Sequence, residues 1–451
     1  MKTTYKDMTK GSIYKVIILF AIPLFLSNLF QQLYNAIDSL IVGNFLGKNP
    51  LAAVSSSGNL IFLFTSFFIG TSSGMSVLIA KYFGEKNYND LKKAIHTGIA
   101  FGLVCSILLT IIGVLLAPVM LKLMKTDPAV LPESIKYFQW YFAGSIGMVM
   151  YNIFNGILNA LGNSKRSLYY LIFSSLLNVV LDLLLIGVFK MGVEGAAIAT
   201  AISQIISAIL CLSFLTKKGT IYQVTIKDIK FDKKIFRLII KYGIPAGIQN
   251  SVIALANVFV QSNINTFGNN AMAGCGTYSK LEGFAFLPVT CFTMAITTFV
   301  GQNLGAKQYD RAKKGSRFGI ICSVTLAEII GILMALFMPY LAKLFNDDPE
   351  VIKIATTQAR TICMFYFLLA FSHCIAAVCR GAGKAVVPMA IMLIVWCVIR
   401  VAYIEIAMSI NHNIQLIFIA YPLTWGISSI IYFFYYLFSD WVHGFEKKNK
   451  L

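Results

Sequence analysis

The sequence predicts an all-α polytopic membrane protein with twelve transmembrane helices, arranged as two six-helix lobes related by a parallel internal repeat. Three observations carry this expectation. Of the 451 residues, 57% are hydrophobic and only 13% are charged, about half the charged share of a soluble domain. Apolar runs of roughly 20 residues recur along the chain, each long enough to cross a hydrocarbon core of about 30 Å. The two halves also match at a fixed offset of 221 residues. Together these exclude a soluble enzyme, a disordered chain and a secreted disulfide scaffold.

The spans follow in order, parted by polar and mostly cationic segments. Span 1 covers 15–40, begins at Lys15 and is too long for a signal-peptide core, so no cleavable signal is expected. Lys48 separates it from span 2 at 51–80, and Lys81, Lys86, Lys92 and Lys93 precede span 3 at 95–118. Lys122, Lys125 and Lys136 lead into span 4 at 136–161, Lys165 and Arg166 into span 5 at 168–189, and Lys190 into span 6 at 193–215. Eight cations between Lys217 and Lys241 mark the passage to span 7 at 238–264, followed by span 8 at 273–302. Lys307, Arg311, Lys313, Lys314 and Arg317 introduce span 9 at 316–341, and Lys343, Lys353 and Arg360 span 10 at 357–380. Arg380 and Lys384 lead to span 11 at 386–409, and span 12 covers 414–438. Without water to satisfy the backbone, spans of this length are expected to be α-helices.

The cations orient the spans. With the first tail placed in the cytoplasm, inside segments carry 28 Lys and Arg and outside segments 8, while Lys280 and Arg400 fall within spans. This bias predicts an even span number with both termini cytoplasmic. The net charge of +19 is therefore a topology signal, and no nucleic-acid partner is expected.

The repeat is visible in several loops. Asn44, Gly47 and Asn49 meet Asn265, Gly268 and Asn270; Gly84, Lys86, Tyr88, Lys92 and Lys93 meet Gly305, Lys307, Tyr309, Lys313 and Lys314. Pro118, Lys122, Leu123, Asp127, Pro128 and Val130 meet Pro339, Lys343, Leu344, Asp348, Pro349 and Val351, and Gly162 meets Gly383. One residue of slip pairs Pro23 with Pro245. Six spans per repeat bring both halves in from the same side, so the repeat axis is expected along the membrane normal, a framework suited to alternating access. The expected division is an N-lobe at 1–215, a cytoplasmic linker at 216–237 and a C-lobe at 238–451. Pro23 and Pro245 each remove an intrahelical hydrogen bond and are expected to bend spans 1 and 7.

Nine cysteines lie singly in or beside apolar runs, which points to neither zinc nor disulfides. No HExxH, Walker loop or Ser/His/Asp constellation occurs in the spans, so neither an enzyme nor a resident cofactor is expected.

Ionisable groups inside membrane helices are costly and mark function. Tyr34 and Asp38 are four apart in span 1, and so are Asn178 and Asp182 in span 5; each pair therefore shares one helical face. By direction of travel, both acids and Thr200 of span 6 fall in the outer half of the membrane. Two carboxylates with amide, hydroxyl and phenol oxygens suit a hard cation. Close, buried carboxylates can instead share a proton, and a helix-to-helix hydrogen-bond network is the alternative to both. The second-half counterparts are Ile399 and Tyr403 for Asn178 and Asp182, and Phe259 or Val260 for Asp38. The acids are thus confined to one lobe. In the other lobe Lys280, Glu282, Arg400 and Glu405 lie within spans, and Glu282 with Arg400 is the expected inter-helix pair, either structural or in contact with substrate. His373 reads as a neutral, hydrogen-bonded core histidine, and Glu328 has no evident partner.

These residues resemble the MATE (multidrug and toxic compound extrusion) transporters of the wider flippase-like superfamily. The resemblance covers almost the whole chain. It rests on Pro23, Asp38 with Gly43 and Gly47, the Gly84–Tyr88 loop, Asn178 with Asp182, Gly192–Ala197, the run Gly301, Gln302, Asn303, Gly305, Ala306, and Gly381 with Gly383. It implies efflux of drugs or metabolites driven by inward Na⁺ or H⁺. It also implies an N-lobe site similar to Tyr34, Asp38, Asn155, Asn178, Asp182 and Thr200, with any Na⁺ held by Asp38, Asp182 and Asn178. Asn155 fits the depth expected for the site less well than the others, unless span 4 starts later and the segment from Pro132 projects outside. Some members carry a coupling glutamate early in span 7; here Ile244–Asn250 contains no acid, and Glu282 is at most a substitute. The expected function is a cation-coupled antiporter exporting small, often cationic organic molecules, monomeric and multi-pass in a bacterial-type plasma membrane. The alternative is a flippase for lipid-linked oligosaccharide or peptidoglycan precursors.

Overall fold

The computed structural model describes residues 7–123, 128 and 130–446. Lys125 and Asp127, invoked above, lie outside the described residues, as do the side chains of Lys48, Asn49 and Leu123. The described residues form helices and no strands. In chain order these are α1 (Ile13–Leu46), α2 (Lys48–Gly84), α3 (Tyr88–Leu123), α4 (Leu131–Ala143), α5 (Ser145–Ala160), α6 (Ser164–Asp182) and α7 (Val193–Leu215). Then come α8 (Lys233–Asn265), α9 (Asn269–Ala285), α10 (Leu287–Gly305), α11 (Tyr309–Lys343), α12 (Pro349–Ile362), α13 (Tyr366–Gly381), α14 (Val386–Met392), α15 (Arg400–Ile410) and α16 (Ile414–Phe438). Among the described residues ten helices are long and apolar enough to cross a membrane, and the pair α9–α10, bent by 40°, adds an eleventh. The expected fourth span is instead two shorter helices, α4 and α5, so length and composition do not by themselves reach twelve. Large exposed side chains such as Leu115, Leu176, Val188 and Phe438 give the helices the apolar exterior that lipid requires.

The repeat extends to the backbone. A π-helical turn, Leu183–Val188, follows α6, and another, Leu393–Ile399, joins α14 to α15. Left-handed backbone recurs at Gly47 and Gly268 (φ 94° and 88°), at Lys86 and Lys307 (56° and 57°), and at Gly162 and Gly383 (78° and 74°). Gly47 and Gly268 also have ψ of −166° and −176°, a region that only glycine enters without strain. Each starts a helix after a tight reversal.

Contacts divide the chain into two compact units. One holds Leu26–Ile244; the other holds Met8–Phe25 together with the chain from Pro245 onward. The boundaries therefore fall inside α1 and α8, beside Pro23 and Pro245, and the segment 216–237, expected as a cytoplasmic linker between the lobes, groups with the first unit. Both prolines sit within continuous helices. The packing explains the exchange. Val16, Ile17, Phe20, Ala21 and Leu24 of α1 share a buried cluster with Cys291, Phe292, Ala295 and Phe299 of α10. In the first unit Phe236 of α8 meets Phe101 at 5.9 Å, and a Cβ at Gly74 would lie 2.3 Å from the Tyr242 carbonyl oxygen.

The Gly301–Ala306 run holds the segment before α1. Gln302 Oε1 accepts the Met8 N–H at 3.0 Å, and Asn303 Nδ2 donates to the Met8 carbonyl at 3.3 Å. Gln302, Asn303 and Met8 are fully buried. Arg311 donates to the carbonyls of Met8, Lys10 and Gly11. Arg311→Ala is expected to raise amide exchange of residues 9–12 by at least tenfold, since charge-assisted bonds to three carbonyls are lost; unchanged exchange would show that Gln302 and Asn303 suffice.

Candidate functional site

The first unit gathers its polar side chains at one end. Asp38 lies near the C-terminal end of α1, Asp182 ends α6, Thr200 lies in the second turn of α7 and Tyr137 in the second turn of α4. Antiparallel neighbours bring these ends together. Asp182 is fully buried and Asn178 nearly so; Tyr34, Asp38 and Thr200 are half-buried. The side chains of Asp38 and Asp182 face each other directly. Tyr34 lies against Gln31 and Gln204 and within electrostatic reach of both acids. Asn178 Nδ2 donates to Thr200 Oγ1 at 3.4 Å.

The donors and acceptors do not balance. Asp38 Oδ1, both carboxylate oxygens of Asp182, Asn178 Oδ1 and Gln204 Oε1 are buried and receive no hydrogen bond among the described residues. No lysine or arginine forms an ion pair with either acid among those residues. Five acceptor oxygens without donors fit a hard cation or a shared proton. The surround is apolar: Ile41, Val42, Phe138, Phe142, Ile186, Ala196 and Ala197 form the adjoining core. A π-helical turn begins directly after Asp182, a device often found at functional positions.

Three residues of this site escaped the sequence reading. Gln204 follows Thr200 by one turn, and Tyr137 and Tyr141, also one turn apart, lie within electrostatic reach of Asp38. The signal was there as i, i+4 polar pairs, but tyrosines in an apolar run read equally as core. Close packing sets their positions. A Cβ at Gly144 would lie 2.2 Å from that of Ala201, and one at Gly147 would lie 2.7 Å from the Ile205 backbone nitrogen. The break between α4 and α5 thus lets α7 approach closely where it carries Thr200 and Gln204.

Asn155 is not brought to this pocket. It accepts from Asn159 Nδ2 at 3.1 Å and from the Ser167 hydroxyl. Ser167 is eleven residues before Asn178 on α6, about 17 Å along the axis at 1.5 Å per residue.

In the second unit the expected Glu282–Arg400 ion pair does not form. Glu282 accepts from the hydroxyls of Tyr278 and Tyr366 at 3.1 and 3.4 Å. Arg400, fully buried, donates through Nε and Nη2 to Thr424 Oγ1 at 3.1 and 2.8 Å. Its guanidinium lies 4.6 Å from the Tyr421 ring centroid and 5.1 Å from that of Trp396. Two tyrosines and two aromatic faces have taken the places each charge would have filled in the other's shell, and only longer-range attraction links them. Lys280 is exposed, over the Phe345 ring, and Glu405 is exposed. Glu328 finds its partner in the Phe367 N–H at 2.9 Å, a donor freed by the break between α12 and α13. His373 packs edge-on against Phe286 and Trp396.

Comparisons with known proteins bear on the family and the fold. The MatE family profile matches twice, at residues 23–184 and 245–404, the two halves of the repeat. The probable multidrug resistance protein YoeA of Bacillus subtilis is 30% identical over 442 residues, covering 95% of each chain. The probable multidrug resistance protein NorM of Thermotoga maritima is 26% identical, covering 85% of this chain and 83% of its own. A solved outward-facing multidrug resistance MATE family transporter of the MOP superfamily superposes with a TM-score of 0.88 at 22% identity, covering 95% and 96% of the two chains. At that identity the likeness shows the fold alone.

Proposed function

The chain belongs to the MatE family of multi-pass membrane transporters, and from that premise we propose that it is an antiporter, coupling inward Na⁺ or H⁺ to export of small organic, often cationic, drugs or metabolites. The observation that carries this is the set of donorless oxygens around Asp38 and Asp182. Facing carboxylates in a low-dielectric site require a cation or a shared proton. Export follows if ion and substrate favour different states of the lobes, because a ligand shifts an equilibrium only through differential affinity. A sodium ion would be held by Asp38, Asp182 and Asn178, with Gln204 adding an oxygen. The relatives named for multidrug resistance support the substrate class.

The test is counterflow in proteoliposomes: organic cations must move against their gradient when a Na⁺ or pH gradient is imposed. Movement that only dissipates the substrate gradient would mean a pore. Both termini and the 216–237 segment are proposed to be cytoplasmic, on the 28-to-8 cation bias. Lys227→Cys should therefore resist an impermeant thiol reagent in intact cells and react after permeabilisation; labelling from outside would invert the topology.

A further inference from the structure

We propose that the first unit carries a binding site for an anionic phospholipid headgroup, built between the start of α3 and the segment leading into α8. A cleft of about 290 Å³ lies there, at the small end of ligand sites and suited to a headgroup. Lys92, Lys93, Lys230, Gln223 and Thr225 contribute its cationic and polar wall, Asp228 and Asp232 its acidic groups.

The cleft is built, not a chance gap between loops. His96, buried beneath it, uses both ring nitrogens. Nδ1 donates to the Lys92 carbonyl at 2.7 Å and Nε2 accepts the Thr225 N–H at 3.0 Å. Thr97 Oγ1 accepts the Asp232 N–H at 3.2 Å. The segment is thereby fixed on α3.

The charges differ in how far they are committed. Asp232 accepts the N–H groups of Lys234 and Ile235, both at 3.0 Å, and lies 3.9 Å from Lys93, so its charge is largely absorbed. Lys92 and Lys230 are exposed and form no ion pair among the described residues. Lys227, Lys233 and Lys234 lie within four residues of Lys230 in sequence. Beside these cations Ile226 and Phe231 are 71% and 48% exposed, and Phe231 rests edge-on against Phe236 at 5.2 Å. Cations with protruding apolar groups, where α3 enters its apolar run, match a phosphate headgroup with its acyl chains alongside.

The experiment is native mass spectrometry of the full chain in detergent, titrated with dioleoyl phosphatidylglycerol or dioleoyl phosphatidylcholine. It reads lipid retention and needs no transport. The parent is expected to retain phosphatidylglycerol over phosphatidylcholine. Lys92→Gln with Lys230→Gln should weaken that retention about thirtyfold, in keeping with roughly 1 kcal/mol for each of the two basic residues near an anionic surface. Ile226→Ser with Phe231→Ser, which leaves every charge in place, should also weaken it. Lys313→Gln with Lys314→Gln removes the same amount of charge from exposed positions of the second repeat, those that match Lys92 and Lys93, and should change nothing. Equal loss in that control would mean diffuse attraction, displacement by excess inorganic phosphate would mean a free-anion site, and parental retention in the Lys92/Lys230 variant would remove the site; each overturns the proposal.

Discussion

Asp38→Asn and Asp182→Asn are each expected to reduce gradient-driven efflux to the level of empty vesicles, with the protein folded and inserted. The reason lies in the donor balance. Each substitution keeps the side-chain volume, removes one charge and introduces an amide donor opposite the remaining carboxylate. That carboxylate then has a hydrogen-bond partner and no longer needs an ion. Coupling is lost because the site's demand for a cation is met by the protein itself. The same logic predicts no loss of thermal stability in Na⁺-free buffer, since two facing acids no longer repel. Efflux under imposed Na⁺ and pH gradients, with insertion measured separately, checks both halves. Parental efflux in both variants would falsify the coupling assignment and leave the pocket as a hydrogen-bond network between helices.

Arg400→Ala is expected to destabilise the second unit by about 2–4 kcal/mol, the range for emptying a large, well-packed buried site. The guanidinium fills the space between Trp396 and Tyr421 and supplies two donors to Thr424. Arg400→Lys keeps the charge but has no planar group to lie against the rings, so it should recover little. Glu282→Gln should cost less than about 1 kcal/mol, because its amide oxygen still accepts from Tyr278 and Tyr366. Thermal unfolding in detergent separates the three variants. If Glu282→Gln proved as damaging as Arg400→Ala, the two residues would act as the direct ion pair that the sequence suggested.

The comparison of these two clusters shows where sequence reasoning reached and where it stopped. Asp38 and Asp182 were legible because each stands in an apolar run with a polar residue one turn away, and because charge is expensive in a membrane wherever it sits. Glu282 and Arg400 were legible as expensive for the same reason, yet their partners were misassigned. Tyr278, Tyr366, Thr424 and the faces of Trp396 and Tyr421 are ordinary residues of membrane helices, and nothing local marks them as partners. Asn155 has the spacing of a site residue, but its position in the fold ties it to Ser167, far along α6 from the acids.

By itself the sequence determined the membrane class, the helical secondary structure, the duplication and the cost of each buried charge. All of these follow from local properties: run length against bilayer thickness, the 3.6-residue period, and the desolvation of single side chains. Only the tertiary structure decided that the starts of α1 and α8 belong each to the other half's unit, that the Gly301–Ala306 run fastens the segment before α1, and that five oxygens of Asp38, Asp182, Asn178 and Gln204 receive no hydrogen bond among the described residues. Those outcomes depend on which helix faces meet, and a hydrogen-bond donor supplied by another helix leaves no trace in the residues around its acceptor.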